Sequence, residues 1–392
     1  MKHKNIPKGY KDSPLGIIPK EWEVKTIGEV CDIHVGKDLN LNSYSKRCDN
    51  THIYPVYSNT VDANGWYGGY YNFEEYKGNC VTVVGRGVGL GTAFYRDKGF
   101  GAIGRLLVLY SDKCDAKYLT EYINSKVKIF VESAAIPQLT GKQIANYRIA
   151  VPPIEEQRKI SKILSVWDET IDKQTRLIDA LIYRKRALMH QLLTGKKRLP
   201  SFTKTWKTIS LGDIFTERNE THKEDLPLLS ITAERGVILQ SESDKKDISN
   251  NDKSKYKRIC PNDIGYNTMR MWQGRSALST MEGIISPAYT VVTPKENICP
   301  LFIAAVLKHP RVIYNFWTHS QGLVNDTLNC KYLDFSQVKV NIPTFHEQRA
   351  IAEVLIETHN EIELSQKRLH QFRTQKHSLM QQLLTGKKRI KI

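Results

Sequence analysis

Long apolar runs are missing from this chain. No stretch of about 18 consecutive apolar residues occurs, which excludes an ordinary membrane-spanning helix. The opening residues Met1-Lys2-His3-Lys4 lead into polar sequence, so no secretory signal is expected. Paired cysteines are missing too. The seven cysteines are odd in number and scattered, without a Cys-x-x-Cys pair, so neither a disulfide framework nor a zinc ribbon is expected. A reducing cytoplasm is the compartment this usage suits.

Catalytic signatures are equally scarce. The glycine run Gly85 to Gly91 does not fit Gly-x-Gly-x-x-Gly in either register. Thr194-Gly195-Lys196 is followed by Lys197 where a phosphate loop needs Ser or Thr. Val151-Pro152-Pro153-Ile154 lacks the polar first and aromatic last residues of an adenine methyltransferase motif. The eleven histidines show no His-x-x-x-His spacing, and no metal ligand is assigned among them. The chain is expected to be non-catalytic, with no cofactor of its own.

Acidic residues are in short supply. Forty-one Asp and Glu stand against 58 Lys and Arg, a formal charge of +17. A polyanion would release counterions on binding such a surface, which makes nucleic acid the expected partner class. With 40 % hydrophobic residues the chain has enough apolar side chains for a packed core, and 392 residues exceed one typical domain.

What is present is a long-period repeat. Residues 156–198 align without a gap onto 347–389, a shift of 191. Both copies open with Glu-Gln-Arg. They close as Leu188-Met-His-Gln-Leu-Leu-Thr-Gly-Lys-Lys-Arg198 and Leu379-Met-Gln-Gln-Leu-Leu-Thr-Gly-Lys-Lys-Arg389, which differ at one position. A fainter echo lies upstream, where Trp22 precedes Ile27-Gly28-Glu29-Val30 as Trp206 precedes Leu211-Gly212-Asp213-Ile214. The segments are therefore 1–150, 151–199, 200–340 and 341–392, alternating variable and repeated.

The repeats read as long helices. Alternating steps of four and three from Ile160 reach Leu164, Trp167, Ile171, Gln174, Ile178, Leu181, Lys185, Leu188 and Leu192, a heptad seam. The second copy runs from Ile351 to Leu383, with Ser365 opposite Gln174 and Lys376 opposite Lys185 in the alignment. Pro152 and Pro343 precede the helices, and Gly195 and Gly386 end them. Roughly 38 residues make a rod of about 57 Å. The second helix buries its seam most simply by running back along the first; a coil serving only homodimerisation is the alternative.

The variable regions read as mixed strand-and-helix domains with protruding loops. Strands are predicted at Val81–Val84, Leu106–Tyr110, Ser230–Thr232 and Ala288–Val292, and a helix from Pro300 to Lys308. Aromatic and polar residues gather in Tyr54–Thr60, Gly65–Tyr71 and Tyr266–Arg275. Arg and Lys reach guanine edges, Asn and Gln adenine edges, and glycine-loop amides suit phosphates. Taken singly, most of the aromatics serve a core equally well.

The whole pattern resembles the specificity subunits of type I restriction-modification systems. The resemblance rests on Lys11-Asp-Ser-Pro-Leu-Gly-Ile-Ile-Pro-Lys-Glu-Trp22, on Pro152-Pro-Ile-Glu-Glu-Gln-Arg158 and Ile342-Pro-Thr-Phe-His-Glu-Gln-Arg349, and on the two Gln-Leu-Leu-Thr-Gly closings. Tyr266-Asn-Thr-Met-Arg-Met-Trp-Gln-Gly274 with Ile285-Ser-Pro-Ala-Tyr289 adds to it. It implies an α+β fold in which a pair of long antiparallel coiled-coil helices separates two target-recognition domains as a pseudo-twofold tandem repeat. Each domain would read half of a bipartite, asymmetric site on double-stranded DNA. The helices would set the gap and dock two methyltransferase subunits and restriction-translocase subunits. S-adenosylmethionine, ATP and magnesium would sit on those partners. The expected DNA contacts are Tyr57, Ser58, Asn59, Arg86, Arg105 and Lys142 in the first domain. In the second they are Asn267, Arg270, Trp272, Gln273, Arg275 and Asn325. Glu156, Gln157, Arg158, Glu347, Gln348 and Arg349 are the expected partner contacts. A free-standing DNA-binding regulator and a coiled-coil scaffold without a DNA role are the other readings.

Overall fold

A computed structural model describes residues 6–129, 137–232, 235–243, 252–322, 324 and 327–390. The architecture is α+β, with two mixed domains and two long helices. The helices span Ile154–Leu193 and Phe345–Leu383, 40 and 39 residues, or about 60 Å each. Gly195 and Gly386, both at φ 69°, take the left-handed conformation that ends each helix and that a side chain would resist. None of the twenty seam positions is exposed, while the intervening faces carry the charges. The heptad reading thus gives the buried stripe of both helices.

Contacts divide the chain into two compact units, Met1–Thr175 with Arg368–Ile392, and Arg176–Lys367. Each unit holds one domain and half of each helix. In the first unit Asp168 meets Lys376 (2.6 Å), and Trp167 packs edge-on against Phe372. In the second, Lys185 meets His359 (3.2 Å) and Arg184 pairs with Glu361. With Glu156 reaching Arg389 in the first and Arg198 reaching Glu347 in the second, both pairs of helix segments run antiparallel.

The duplication extends through the domains. In the first, a four-stranded antiparallel sheet runs Asp32–Val35, Leu107–Tyr110, Cys80–Val83, Ala93–Arg96 in spatial order. In the second, Phe215–Arg218, Tyr289–Pro294, Ile264–Asn267 and Ser276–Leu278 repeat that order. Each domain is closed by a ribbon joining its ends, Glu23–Thr26 with Arg148–Val151 and Lys207–Ser210 with Lys339–Ile342. What differs is the inserted structure. The first domain carries a second sheet rich in tyrosine, built on Tyr54–Tyr57 and Trp66–Tyr71. The second carries two short ribbons instead, and Pro310–His319 follows the expected helix Pro300–Leu307 as a second helix.

The Leu-Leu-Thr-Gly closings are core pieces. Leu383 and Leu384 lie in the core of the first unit with Trp22, Ile27 and Leu119; Leu192 and Leu193 lie in that of the second with Leu211, Phe302 and Phe335. Beside each closing sits a buried carboxylate. Glu156 accepts from Arg389 Nε and Nη2 (2.8 and 3.0 Å) and from Trp22 Nε1 (3.0 Å). Glu347 accepts from Arg198 (2.5 and 2.7 Å) and Trp206 (3.4 Å). The neighbouring glutamines act as backbone braces: Gln157 accepts from Asp115 N and donates to Pro152 O, as Gln348 does with Cys299 N and Pro343 O.

This corrects the sequence reading of Glu-Gln-Arg as partner contacts. Glu156, Gln157 and Glu347 are 0 % exposed and Gln348 2 %, and all four are satisfied inside their own unit. Only Arg158 and Arg349 stand at the surface. Removing one member of a buried ion pair strands the other in a dry site. Arg389→Met should therefore lower unfolding free energy by about 3 kcal/mol in urea titrations, and an unchanged midpoint would refute the clamp.

Candidate nucleic-acid interface

In the first unit, four loop segments converge on Gly85. Its N–H donates to Asn59 Oδ1 (2.7 Å), its carbonyl accepts from Leu139 N (2.8 Å), and Asn59 Nδ2 donates to Gly104 O. Gly87 N–H donates to Pro137 O (3.2 Å), and Ile103 N–H to Tyr57 O (2.9 Å). The hub brings Arg86 and Arg105 to one region as exposed side chains. Lys142 is exposed on the short helix Gly141–Ala145, which the 137–139 segment leads into.

Two expectations change here. Asn59 spends both ends of its amide within the chain, so it braces the loops instead of presenting an edge to a base. Tyr57 lies half-buried, edge-on to Phe100 and with the Arg96 guanidinium 3.5 Å above its ring. Ser58, also half-buried, closes the turn by its own N–H to Gly65 O (2.9 Å). Arg96 was not foreseen. It is 5 % exposed, donates to Thr82 Oγ1 (2.9 Å) and Asn64 O (2.8 Å), and takes its support from rings and neutral oxygens. Burial accordingly lowers its pKa.

In the second unit the loop after Ile264–Asn267 lines an open concavity of about 1060 Å³. Asn267, Arg270, Gln273 and Arg275 all border it, as the sequence predicts, and Arg235 and Lys308 join them from other segments. No carboxylate is among the lining residues. Arg235 has a surface partner in Glu242 (3.6 Å), and burial lowers the pKa of Lys308. Ser230, Thr232, Ser276 and Tyr289 supply neutral donors and acceptors. Within the loop, Asn267 Oδ1 accepts from Met269 N (3.0 Å), and the neighbouring Trp272 Nε1 donates to Met269 O (3.0 Å). Trp272 thus stiffens the loop and is not on the lining; Asn325 lies outside the described residues. Nothing near Arg235 or Lys308 in the sequence marks them, because they come from separate loops that only the fold gathers.

Arg86 and Arg270 each lie three residues past the end of the corresponding strand, Cys80–Val83 and Ile264–Asn267. One backbone plan thus presents an arginine twice, in surroundings that differ. Among the described residues no group of three or more His, Cys, Asp or Glu could hold a metal, and no helix is long and apolar enough to cross a membrane.

Comparison with known proteins finds similarity to type I specificity subunits. Residues 19–182 match the type I restriction modification DNA specificity domain. A putative type I specificity subunit of Mycoplasma pneumoniae is 34 % identical over 172 residues, 43 % of this chain and 55 % of that relative. The putative MjaX specificity subunit of Methanocaldococcus jannaschii is 24 % identical across 97 % of both chains. The crystal structure of a type I restriction-modification S subunit from M. genitalium superposes with a TM-score of 0.60 at 15 % identity, covering 92 % of this chain and 96 % of that one. The resemblance read from the sequence therefore holds in sequence and in fold.

The brace at Gly85 is testable. Asn59→Ala leaves a buried N–H without its acceptor and should cost about 1–2 kcal/mol, with faster hydrogen exchange at the Gly85 amide. Unaltered exchange there would mean that the loops are held by other contacts.

Proposed function

We propose that this chain, which carries the type I DNA specificity domain at residues 19–182, reads a bipartite, asymmetric site on double-stranded DNA. The target-recognition domains are the segments 1–150 and 200–340, and the helical segments 151–199 and 341–392 set the unread spacer. The reading is supported above all by one observation: a single domain plan, used twice, presents basic loops at the same place with different lining residues. One plan gives two comparable readers; different linings give two different half-sites.

The chain supplies address and not reaction. Methyltransferase subunits, two in number, and restriction-translocase subunits dock on it in the cytoplasm, bringing S-adenosylmethionine, ATP and magnesium. Arg158 and Arg349 remain candidates for those contacts because they are exposed beside each helix start. In the second half-site, Arg270, Gln273 and Arg275 are the base-reading candidates, and Lys308 suits a phosphate.

The deciding experiment is detection of N6-methyladenine in host DNA with the gene intact and deleted. Loss of one split, asymmetric motif is the expected result, and no change in methylation would overturn the reading. Inserting seven residues in each long helix should lengthen the spacer by about 10 Å, or about three base pairs, with both half-sites kept. Altered half-sites with an unchanged spacer would rule out the ruler role. Arg270→Ala should cost about 1–3 kcal/mol of binding and relax one base position in one half-site; an unchanged motif and affinity would remove it from the readers.

A further inference from the structure

The eleven-residue closings of the two repeats differ at one position, His190 against Gln381. The difference has a chemical consequence in each unit. In the first, Gln381 Oε1 accepts a hydrogen bond from Lys126 Nζ, so ammonium and amide satisfy each other. In the second, His190 lies between His309 and Lys196. Its Nδ1 is 3.4 Å from His309 Nε2, and its Nε2 is 3.4 Å from Lys196 Nζ. The two imidazoles stack with centroids 5.5 Å apart.

Proton placement follows from the backbone. His309 caps the helix Pro310–His319, and its Nδ1 accepts from Arg311 N (3.3 Å). Burial, with His190 and Arg311 adding to it, lowers the pKa of His309, which keeps the ring neutral at pH 7. A neutral ring that accepts at Nδ1 carries its proton on Nε2 and donates it to His190 Nδ1. The proton of a neutral His190 then sits on Nε2, facing the Lys196 ammonium. Donor meets donor, and an acceptor is wanted between them.

The surroundings are cationic. Lys308 precedes His309 and lines the concavity, Arg311 follows it, and Lys185 acts on Lys308. Two acids lie along this stretch: Glu363 acts on Lys185 and pairs with His359 (3.4 Å), and Glu361 pairs with Arg184. Among the described residues no carboxylate bonds to Lys196, His190 or His309. The negative end of the helix opposes an anion here, and Lys196 and Lys197 offset it.

We propose that Lys196 and His190 form a phosphate site that grips the DNA backbone beside the second half-site without reading a base. A phosphodiester oxygen offers only lone pairs, so one oxygen accepts from both Nζ and Nε2 and resolves the opposed donors. Continuity with the reading concavity through Lys308 and His309 makes the occupant DNA. The proposal rests on the DNA-reading function argued above.

The test uses the full chain in its methyltransferase complex. Kd is measured against salt for a duplex with the native motif and for an unrelated duplex. Lys196→Ala should weaken both about three- to tenfold, lower the salt slope by about one, and leave the methylated motif unchanged. His190→Gln, which places here the amide that the other repeat carries at this position, should weaken both duplexes in the same way with the melting temperature preserved. Unchanged affinity and slope in both variants would overturn the phosphate site. So would a changed motif, which would make these residues base readers. Inorganic phosphate that shifts the His190 ring resonances, where duplex does not, would overturn the DNA assignment in favour of a free anion. A wild-type complex that cannot distinguish the two duplexes would instead fail the DNA-reading function.

Discussion

The fold depends on a carboxylate buried at the start of each long helix. Glu156 and Glu347 sit at near-zero exposure, where an ionised group is costly unless its oxygens are filled. Each is filled by an arginine that lies just past the end of the other helix copy in the sequence, and by a tryptophan from the domain's opening segment. Domain start, helix start and helix closing must therefore arrive together in each unit. All three are far apart in sequence in the first, whereas in the second Arg198 and Trp206 are near neighbours and only Glu347 is distant. Leucines adjoining the arginine enter the same core, so apolar burial and charge pairing enforce one placement. No member of the clamp is useful alone, which explains why Trp, Glu and Arg recur together in the repeat.

Once the clamp fixes the ends of each domain, the middle is free to differ. The four-stranded sheet keeps its order in both domains, while the structure beyond it diverges into a tyrosine-rich sheet or into short ribbons. The second domain compensates with polar cross-links. Asp263, 1 % exposed, accepts from Arg218 Nε (2.7 Å), Thr293 Oγ1 (2.6 Å) and Cys260 N (2.7 Å), and Arg258 joins Glu220 to Glu282. A rigid frame thus underlies loops of unlike composition in the two domains.

Legibility followed the length of the physical signal. A heptad over ten seam positions leaves a periodic trace, and every one of those positions is shielded. The shared domain topology left almost none, because four-residue strands can exchange nearly any apolar residue and keep their pairing. Glu156 and Glu347 were misread because a charged residue in a helix is ordinarily at the surface, and nothing local announces an arginine 233 or 149 residues away. Asn59 was misread for a related reason: its type suits a base edge, but its partners Gly85 and Gly104 reach it only through the fold. In the second domain the loop that lines the concavity was legible as a contiguous motif, whereas Arg235 and Lys308 were not.

The seam lysines show how a duplicated frame acquires asymmetry without losing register. Lys376 finds Asp168 and Glu121; the equivalent Lys185 finds His359, which occupies the position 191 residues beyond Asp168. Burial raises the pKa of Glu121 and Lys376 opposes that shift, so the first unit holds a partly dehydrated ion pair. Burial lowers the pKa of Lys185, and the response comes from Glu363 acting across the His359 contact. Both solutions keep a cation at the same seam depth, which a purely apolar seam would not require. A lysine there disfavours sliding by a heptad, since the slid register would set Lys376 against Ser161 or Thr175 instead of the carboxylate of Asp168, and Lys185 against Ala352 or Gln366. Asp168 stands against His359 and Gln381 against His190 at aligned positions of the same frame, and each difference alters what charge the surface can accept.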